Sequence, residues 1–239
     1  MPTTVFPGFP EEMIRFFRGL KRNNRREWFQ PRKHLYDQHV KAPMLELVAG
    51  LNAELARFAP DYVSDPAKAI FRIYRDTRFS ADKTPYKTHV AASFRRRGPK
   101  GVPTAGFYFS VSSDQIEVAG GLYHPAPETM LLVRTHIAGT YAELQKIVAN
   151  RKARRLVGEI QGDELTRAPK GFDPNHPALH FIKKKDWILD VMLDAGLALT
   201  PKLHREIADR FRAMTPFLEY LNRPLASQKP TRDLLENLW

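Results

Sequence analysis

Ala105-Gly-Phe-Tyr-Phe-Ser-Val-Ser-Ser-Asp-Gln-Ile-Glu-Val-Ala119 is the stretch from which the fold class follows. Ala105 to Val111 and Gln115 to Ala119 are rich in Val, Phe, Tyr and Ile, the composition of strands. Ser112, Ser113 and Asp114 favour a turn between them, because short polar side chains bond the neighbouring backbone. The pair reads as a β-hairpin. Upstream, Val90 to Phe94 is a further strand candidate. So is Ala69 to Tyr74, with Phe71 and Ile73 on one face and Arg72 and Tyr74 on the other. Downstream, Trp187 to Met192 is another.

Helical patterns flank these strands. Met13, Phe16, Phe17 and Leu20 recur at i, i+3, i+4 and i+7, an amphipathic helix from Pro10 to Leu20. Asn23-Asn24 breaks it and Pro31 opens the next. Pro43 lacks an N–H donor and kinks or interrupts that helix. Met44, Leu47, Val48, Leu51, Leu55 and Phe58 then form an apolar stripe. Beyond Pro127, residues 128–137 and 141–149 are helical. Thr200 caps and Pro201 opens a long helix with Leu203, Ile207, Phe211, Met214, Leu218 and Leu221 on one edge. Arg223 to Pro230 reads as a linker before a short helix capped by Thr231. Strands in the middle and helices at both ends predict an α+β fold. A central antiparallel sheet is flanked by helices from the N- and C-terminal parts. The expected organisation is one domain over residues 9–222, with 223–239 as linker and terminal helix.

The chain has 239 residues, enough for a sizeable core, and no cysteine. Disulfides, thiolate zinc sites and cysteine nucleophiles are excluded. That composition fits the cytoplasm, as does an amino terminus without the features of a secretory signal. No apolar run approaches the roughly 20 residues of a membrane span. The formal net charge is +12, which favours anionic partners. The excess is clustered: Arg15 to Lys33; Arg72 to Lys87, continuing through Arg95, Arg96, Arg97 and Lys100; and Lys146 to Arg155. Each cluster also has a bland reading, as a solvated surface.

The densest cluster is Phe71-Arg-Ile-Tyr-Arg-Asp-Thr-Arg-Phe-Ser-Ala-Asp-Lys-Thr-Pro-Tyr-Lys-Thr-His89. Arg72, Arg75, Arg78, Lys83 and Lys87 surround two acids, Asp76 and Asp82. A guanidinium fork fits phosphate or carboxylate, and two acids cannot neutralise five cations. The alternative is internal pairing, in which Asp76 and Asp82 neutralise two of them. Ser80 and Lys83 have Ser-x-x-Lys spacing, too short a motif to assign a nucleophile; Ser80 as a cap is the simpler reading. His176 and His180 are spaced for one helix face, yet lack the glutamate of a zinc-protease pattern, and no metal site is assigned.

Five segments carry a family resemblance. They are Asn23 to Phe29, Arg72 to Phe79, Asp82 to His89, Gly120-Gly121-Leu122-Tyr123-His124-Pro125, and Pro169-Lys170-Gly171-Phe172. Together they resemble the domain of unknown function 2461 family, over about Phe9 to Asn222. The resemblance implies a boundary and a motif set, without an established activity or cofactor. From the residues, the expected site is a basic pocket for a phosphate-bearing or other anionic ligand. Arg72, Arg75, Arg78, Lys83, Lys87 and Lys170 would bind it. Asp76 would orient the arginines or act as acid/base, and His89, Tyr123 and His124 would transfer protons. Competing expectations are a weak, non-specific nucleic-acid module and a structural protein with a buried Arg–Asp network.

Overall fold

The computed structural model describes residues 6–96 and 104–226. Arg97, Lys100 and the expected helix after Thr231 lie outside the described residues. The order of elements is α1 (Glu11–Arg22), α2 (Arg26–Phe29), α3 (Lys33–Tyr36), α4 (Ala42–Phe58), α5 (Pro66–Ala69), β1 (His89–Arg95), β2 (Gly106–Ser112), β3 (Gln115–Leu122), α6 (Pro127–Val148), α7 (Arg151–Val157), α8 (Leu179–Ile182), β4 (Trp187–Asp194) and α9 (Lys202–Asn222). The strands form one antiparallel sheet in the order β1-β2-β3-β4, so the fold is α+β. The hairpin turn forms as expected: Ser112 Oγ accepts the N–H groups of Asp114 and Gln115, both at 3.1 Å.

Two compact units share the chain. The first comprises Phe107–Ala119, Asp190–Arg212 and the chain up to Phe94; the second comprises Arg95–Gly106, Gly120–Leu189 and the chain from Ala213 onward. In the first unit, Phe211 is fully buried among three sheet aromatics. It stacks on Phe107 at 4.6 Å between ring centroids and lies 5.7 Å from Phe94 and 6.5 Å from Phe109. Alternation along the strands then sends Ser93, Tyr108 and Ser110 to the opposite face. Met13, Phe16, Phe17 and Leu20 of α1 are all buried, as their spacing predicts. Ahead of Pro43 the chain makes a π-turn over Asp37–Lys41, which absorbs the missing N–H donor.

In the second unit, Asn222 is buried and its amide bonds both polar backbone atoms of Ala105, at 2.8 and 3.0 Å. Thr140 departs from helical geometry and kinks α6 between the two helical segments expected there. The Thr140 hydroxyl donates to His136 O at 2.7 Å and lies 2.9 Å from Tyr220 Oη.

The strand expected at Ala69 to Tyr74 is irregular. Ile70 and Tyr74 make isolated antiparallel bridges to Ala92 and Tyr86. Phe71 N–H bonds Ala91 O, Arg75 N–H bonds Pro85 O, and Lys87 N–H bonds Ile73 O, at 2.8–2.9 Å. The segment is paired, but Pro85 has no N–H to extend a regular ladder. Thr200 differs in detail from the expected cap: its hydroxyl donates back to Leu197 O at 3.0 Å.

Phe211→Ala should destabilise the protein by about 3–5 kcal/mol, the range for truncating a buried phenylalanine. Urea unfolding monitored by circular dichroism measures it. A loss below about 1 kcal/mol would contradict the role of Phe211 as the aromatic centre of the first unit.

Candidate functional site

The pairing of residues 70–75 with 85–92 makes the segment from Ile70 to His89 an open hairpin in the first unit. Its anchor is Asn24. The Asn24 amide donates to Tyr86 O at 2.8 Å and accepts Tyr86 N–H at 3.1 Å, supplying the two bonds a neighbouring strand would make. Tyr86 is buried and stacks on Phe29 at 4.2 Å. Asn24, Phe29 and Tyr86 therefore serve the fold. Trp28 packs 5.7 Å from Phe16, and a Cβ on Gly19 would meet its ring at 2.7 Å.

Both acids of the hairpin are engaged by arginines. Asp76 takes Arg78 through two bonds, Nε at 3.0 Å and a terminal nitrogen at 2.7 Å. Those hydrogen bonds draw its carboxyl down to about 2. Asp82 accepts Thr84 N–H at 2.9 Å and pairs with the Arg75 guanidinium, which also bonds the Thr84 hydroxyl. Thr84 N–H and Arg75 draw the Asp82 carboxyl down to about 2. Lys83 Nζ donates to Thr77 O at 2.9 Å. The two bonds to Asp76 hold the Arg78 guanidinium against it.

Three cations have no acid of their own: Lys83, whose partner is a carbonyl, and Arg72 and Lys87. Arg72 is exposed and Lys87 half-buried. Among the described residues, no carboxylate forms a salt bridge with either, although the charge of Arg72 also acts on Asp76. Burial, and then the charge of Arg72, lower the pKa of Lys87. Its ammonium lies 4.9 Å from the ring centroid of Phe71, a weak cation–π contact. His89 is half-buried too, and burial followed by the charge of Lys87 holds its pKa below the ordinary 6.5.

Further titratable groups occupy the same unit on the strand face opposite Phe211. Phe71 approaches Tyr108 at 6.1 Å between ring centroids. Ser110 is buried and its hydroxyl donates to Glu117 at 3.1 Å. Burial and then Asp190 raise the Glu117 carboxyl above its ordinary 4.5. Burial raises Asp190, and burial followed by Glu117 raises Tyr108. Glu117 and Asp190 are half-buried carboxyls raised above their ordinary values beside a tyrosine, so they hold a proton to higher pH than exposed carboxyls do. Reading the sequence for basic motifs passed over Tyr108, Ser110, Glu117 and Asp190. Their signal was present as polar residues at alternate positions within apolar strands.

Tyr123, His124 and Lys170 belong to the second unit. Gly121 has φ 146°, and a Cβ there would lie 2.0 Å from Trp187 O, so the two backbones approach too closely for any side chain at this position. His124 is held at φ 45° by its N–H bond to Asp186 Oδ1, at 2.6 Å. Asp186 is buried, while the Tyr123 and His124 side chains are exposed. Lys170 is exposed on a turn whose Gly171 has φ 88°. His176 precedes α8 and its Nδ1 accepts Ala178 N–H at 3.1 Å, so His176 and His180 do not share a helix face. Among the described residues, no three of His, Asp and Glu cluster as metal ligands.

Asp76 and Asp82 have folded-state values of about 2 against an ordinary 3.8. A depressed carboxyl stabilises the folded state above its unfolded value, and that contribution disappears as pH falls through the folded value. The melting-temperature gap between wild type and Asp82→Asn should therefore close on acidification from about pH 4 to about pH 2. A gap constant over that range in thermal melts would refute the pairing of Asp82.

None of the curated proteins matches the chain significantly. One family model matches residues 12–220, which takes in the Ile70–His89 hairpin, both units' sheet strands and the turns bearing His124 and Lys170. The chain thus belongs to the conserved hypothetical protein family DUF2461.

Proposed function

We propose that the first unit binds a phosphate-bearing or otherwise anionic ligand at the base of the Ile70–His89 hairpin. Arg72 and Lys87 are its primary ligands, and Arg75, Arg78 and Lys83 contribute further donors. The observation that carries this reading is the proximity of Arg72 and Lys87: burial, and then the neighbouring guanidinium, depress a half-buried ammonium that is in no salt bridge among the described residues. Buried or half-buried like charges are unfavourable unless something of opposite sign joins them. Two arginines have their acids, Lys83 has only a carbonyl, and Arg72 and Lys87 are in no salt bridge among the described residues, so an anion completes the set. His89 stands beside the ligand, and the Tyr108–Ser110–Glu117–Asp190 row on the same unit supplies groups for proton transfer. This favours an enzyme over a passive binder. A cysteine-free chain suits the reducing cytoplasm in which we place it.

Weak nucleic-acid binding is the second reading, favoured by one observation. Phe79 is 95% exposed, with the Arg78 guanidinium 5.7 Å from its ring. An exposed aromatic beside cations is a stacking platform for single-stranded bases. No helix among the described residues is long and apolar enough to cross a membrane.

Thermal melts with and without phosphate provide the test. Saturating phosphate should raise the wild-type melting temperature by several degrees, because a ligand stabilises the state that binds it. Arg72→Ala and Lys87→Met should lose that increase. Without phosphate they should melt no lower than wild type, since each removes a repulsion. An oligonucleotide arm separates the second reading: its effect should vanish with added salt. A wild type unaffected by phosphate, or variants that melt well below wild type in its absence, would end the anion-site reading.

A further inference from the structure

We propose that the second unit carries a separate binding site for an amphipathic carboxylate, a ligand with an acyl or aryl body and an anionic head. A cavity of about 400 Å³ lies between the end of α6, α7, α8, the start of β4 and the later part of α9. That volume falls in the small-molecule range of roughly 300–1,000 Å³. One wall is apolar: Ile147, Val157, Phe181, Leu189, Ala213 and Phe217. Apolar atoms that border empty space lack dispersion partners, which an inserted hydrocarbon supplies.

The polar wall selects the head group. Lys184 lines the cavity, and its side chain is only 9% exposed. Its Nζ donates to Glu164 Oε1 at 3.0 Å. That bond holds the Glu164 carboxyl below its ordinary value. Arg154 is likewise engaged with Glu159. Each carboxylate of the wall thus has its own cation. An ammonium offers three N–H donors and a guanidinium five, so donors remain for an incoming oxygen. The surroundings strengthen the preference. Helix α7 contributes Arg151, Lys152, Arg154 and Arg155, and Lys183 and Lys185 flank Lys184 in the chain, so the local field draws anions. A compact ammonium acts as a point charge, which suits a single carboxylate. The body of the ligand lies on the apolar wall and its carboxylate meets Lys184. The Lys146–Arg155 basic cluster, which the anion site of the first unit leaves unexplained, borders this cavity.

Calorimetric titration of the full chain with hexanoate, octanoate and decanoate, below micelle formation, tests the site. One molecule should bind, tightening about fourfold per added methylene, as the transfer free energy of a buried CH₂ gives. Octylammonium should bind at least about tenfold more weakly than octanoate, one unit of 1.4 kcal/mol at 25 °C. Lys184→Met should reduce octanoate affinity by a similar factor while leaving 1-octanol binding unchanged. Ala213→Phe, which intrudes on the apolar wall of the cavity, should weaken both. Lys87→Met in the first unit should leave octanoate affinity intact, which distinguishes the two sites. Failure of the wild type to bind octanoate at millimolar concentration would overturn the proposal. So would equal affinity for octanoate and octylammonium, or octanoate binding that Ala213→Phe does not change.

Discussion

Charge imbalance in the Ile70–His89 hairpin constrains the first unit. The hairpin has five cations and two acids, and the acids are committed locally: Asp76 to Arg78 and Asp82 to Arg75. These pairs are largely exposed, so their direct contribution to stability is small. Their larger effect is to order the loop and leave Arg72 and Lys87 without a salt bridge among the described residues. The backbone pairing of Ile73 with Lys87 then holds these two cations in one neighbourhood.

That neighbourhood exists because separate segments hold it. Asn24 clamps both backbone polar atoms of Tyr86, and Phe29 stacks against the Tyr86 ring. The motif around Asn24 and the motif around Tyr86 are therefore two sides of one structural contact. Alternation adds the second ingredient. Phe94, Phe107 and Phe109 turn toward Phe211, and Tyr108, Ser110 and Glu117 must occupy the other face. Ser110 holds Glu117 by a hydrogen bond within burial that penalises charge, so the carboxyl retains its proton to higher pH.

Much of this was legible beforehand, and each success has a local cause. The Ser112–Asp114 turn and its flanking strands follow from side chains that bond their own backbone or fill a pleated surface. The α1 stripe follows from periodicity. Counting charges over nineteen residues left two readings open, an anion site and internal pairing, and the pairing of Asp76 and Asp82 with arginines is the second. The irregular pairing of Ala69 to Tyr74 was not legible, because its register slips between the Ile70–Ala92 and Tyr74–Tyr86 bridges, which only the partner segment fixes. Nor was the row of Tyr108, Glu117 and Asp190. Glu117 and Asp190 are 73 positions apart in the chain (190 − 117) and interact only after the strands assemble. The His176–His180 spacing looked helical, but α8 begins after His176. Local chemistry predicted elements; long-range pairing selected which polar residues share a face.

The ammonium of Lys87 reports the central claim. Nitrogen-15 NMR of the Lys87 side chain, titrated with and without phosphate, gives its pKa in both states. The account predicts a value below the ordinary 10.5 in the free protein, from burial and the charge of Arg72, and a rise when phosphate binds. A value at or above 10.5 that phosphate leaves unchanged would mean that Lys87 already has its counter-charge, and would contradict the account.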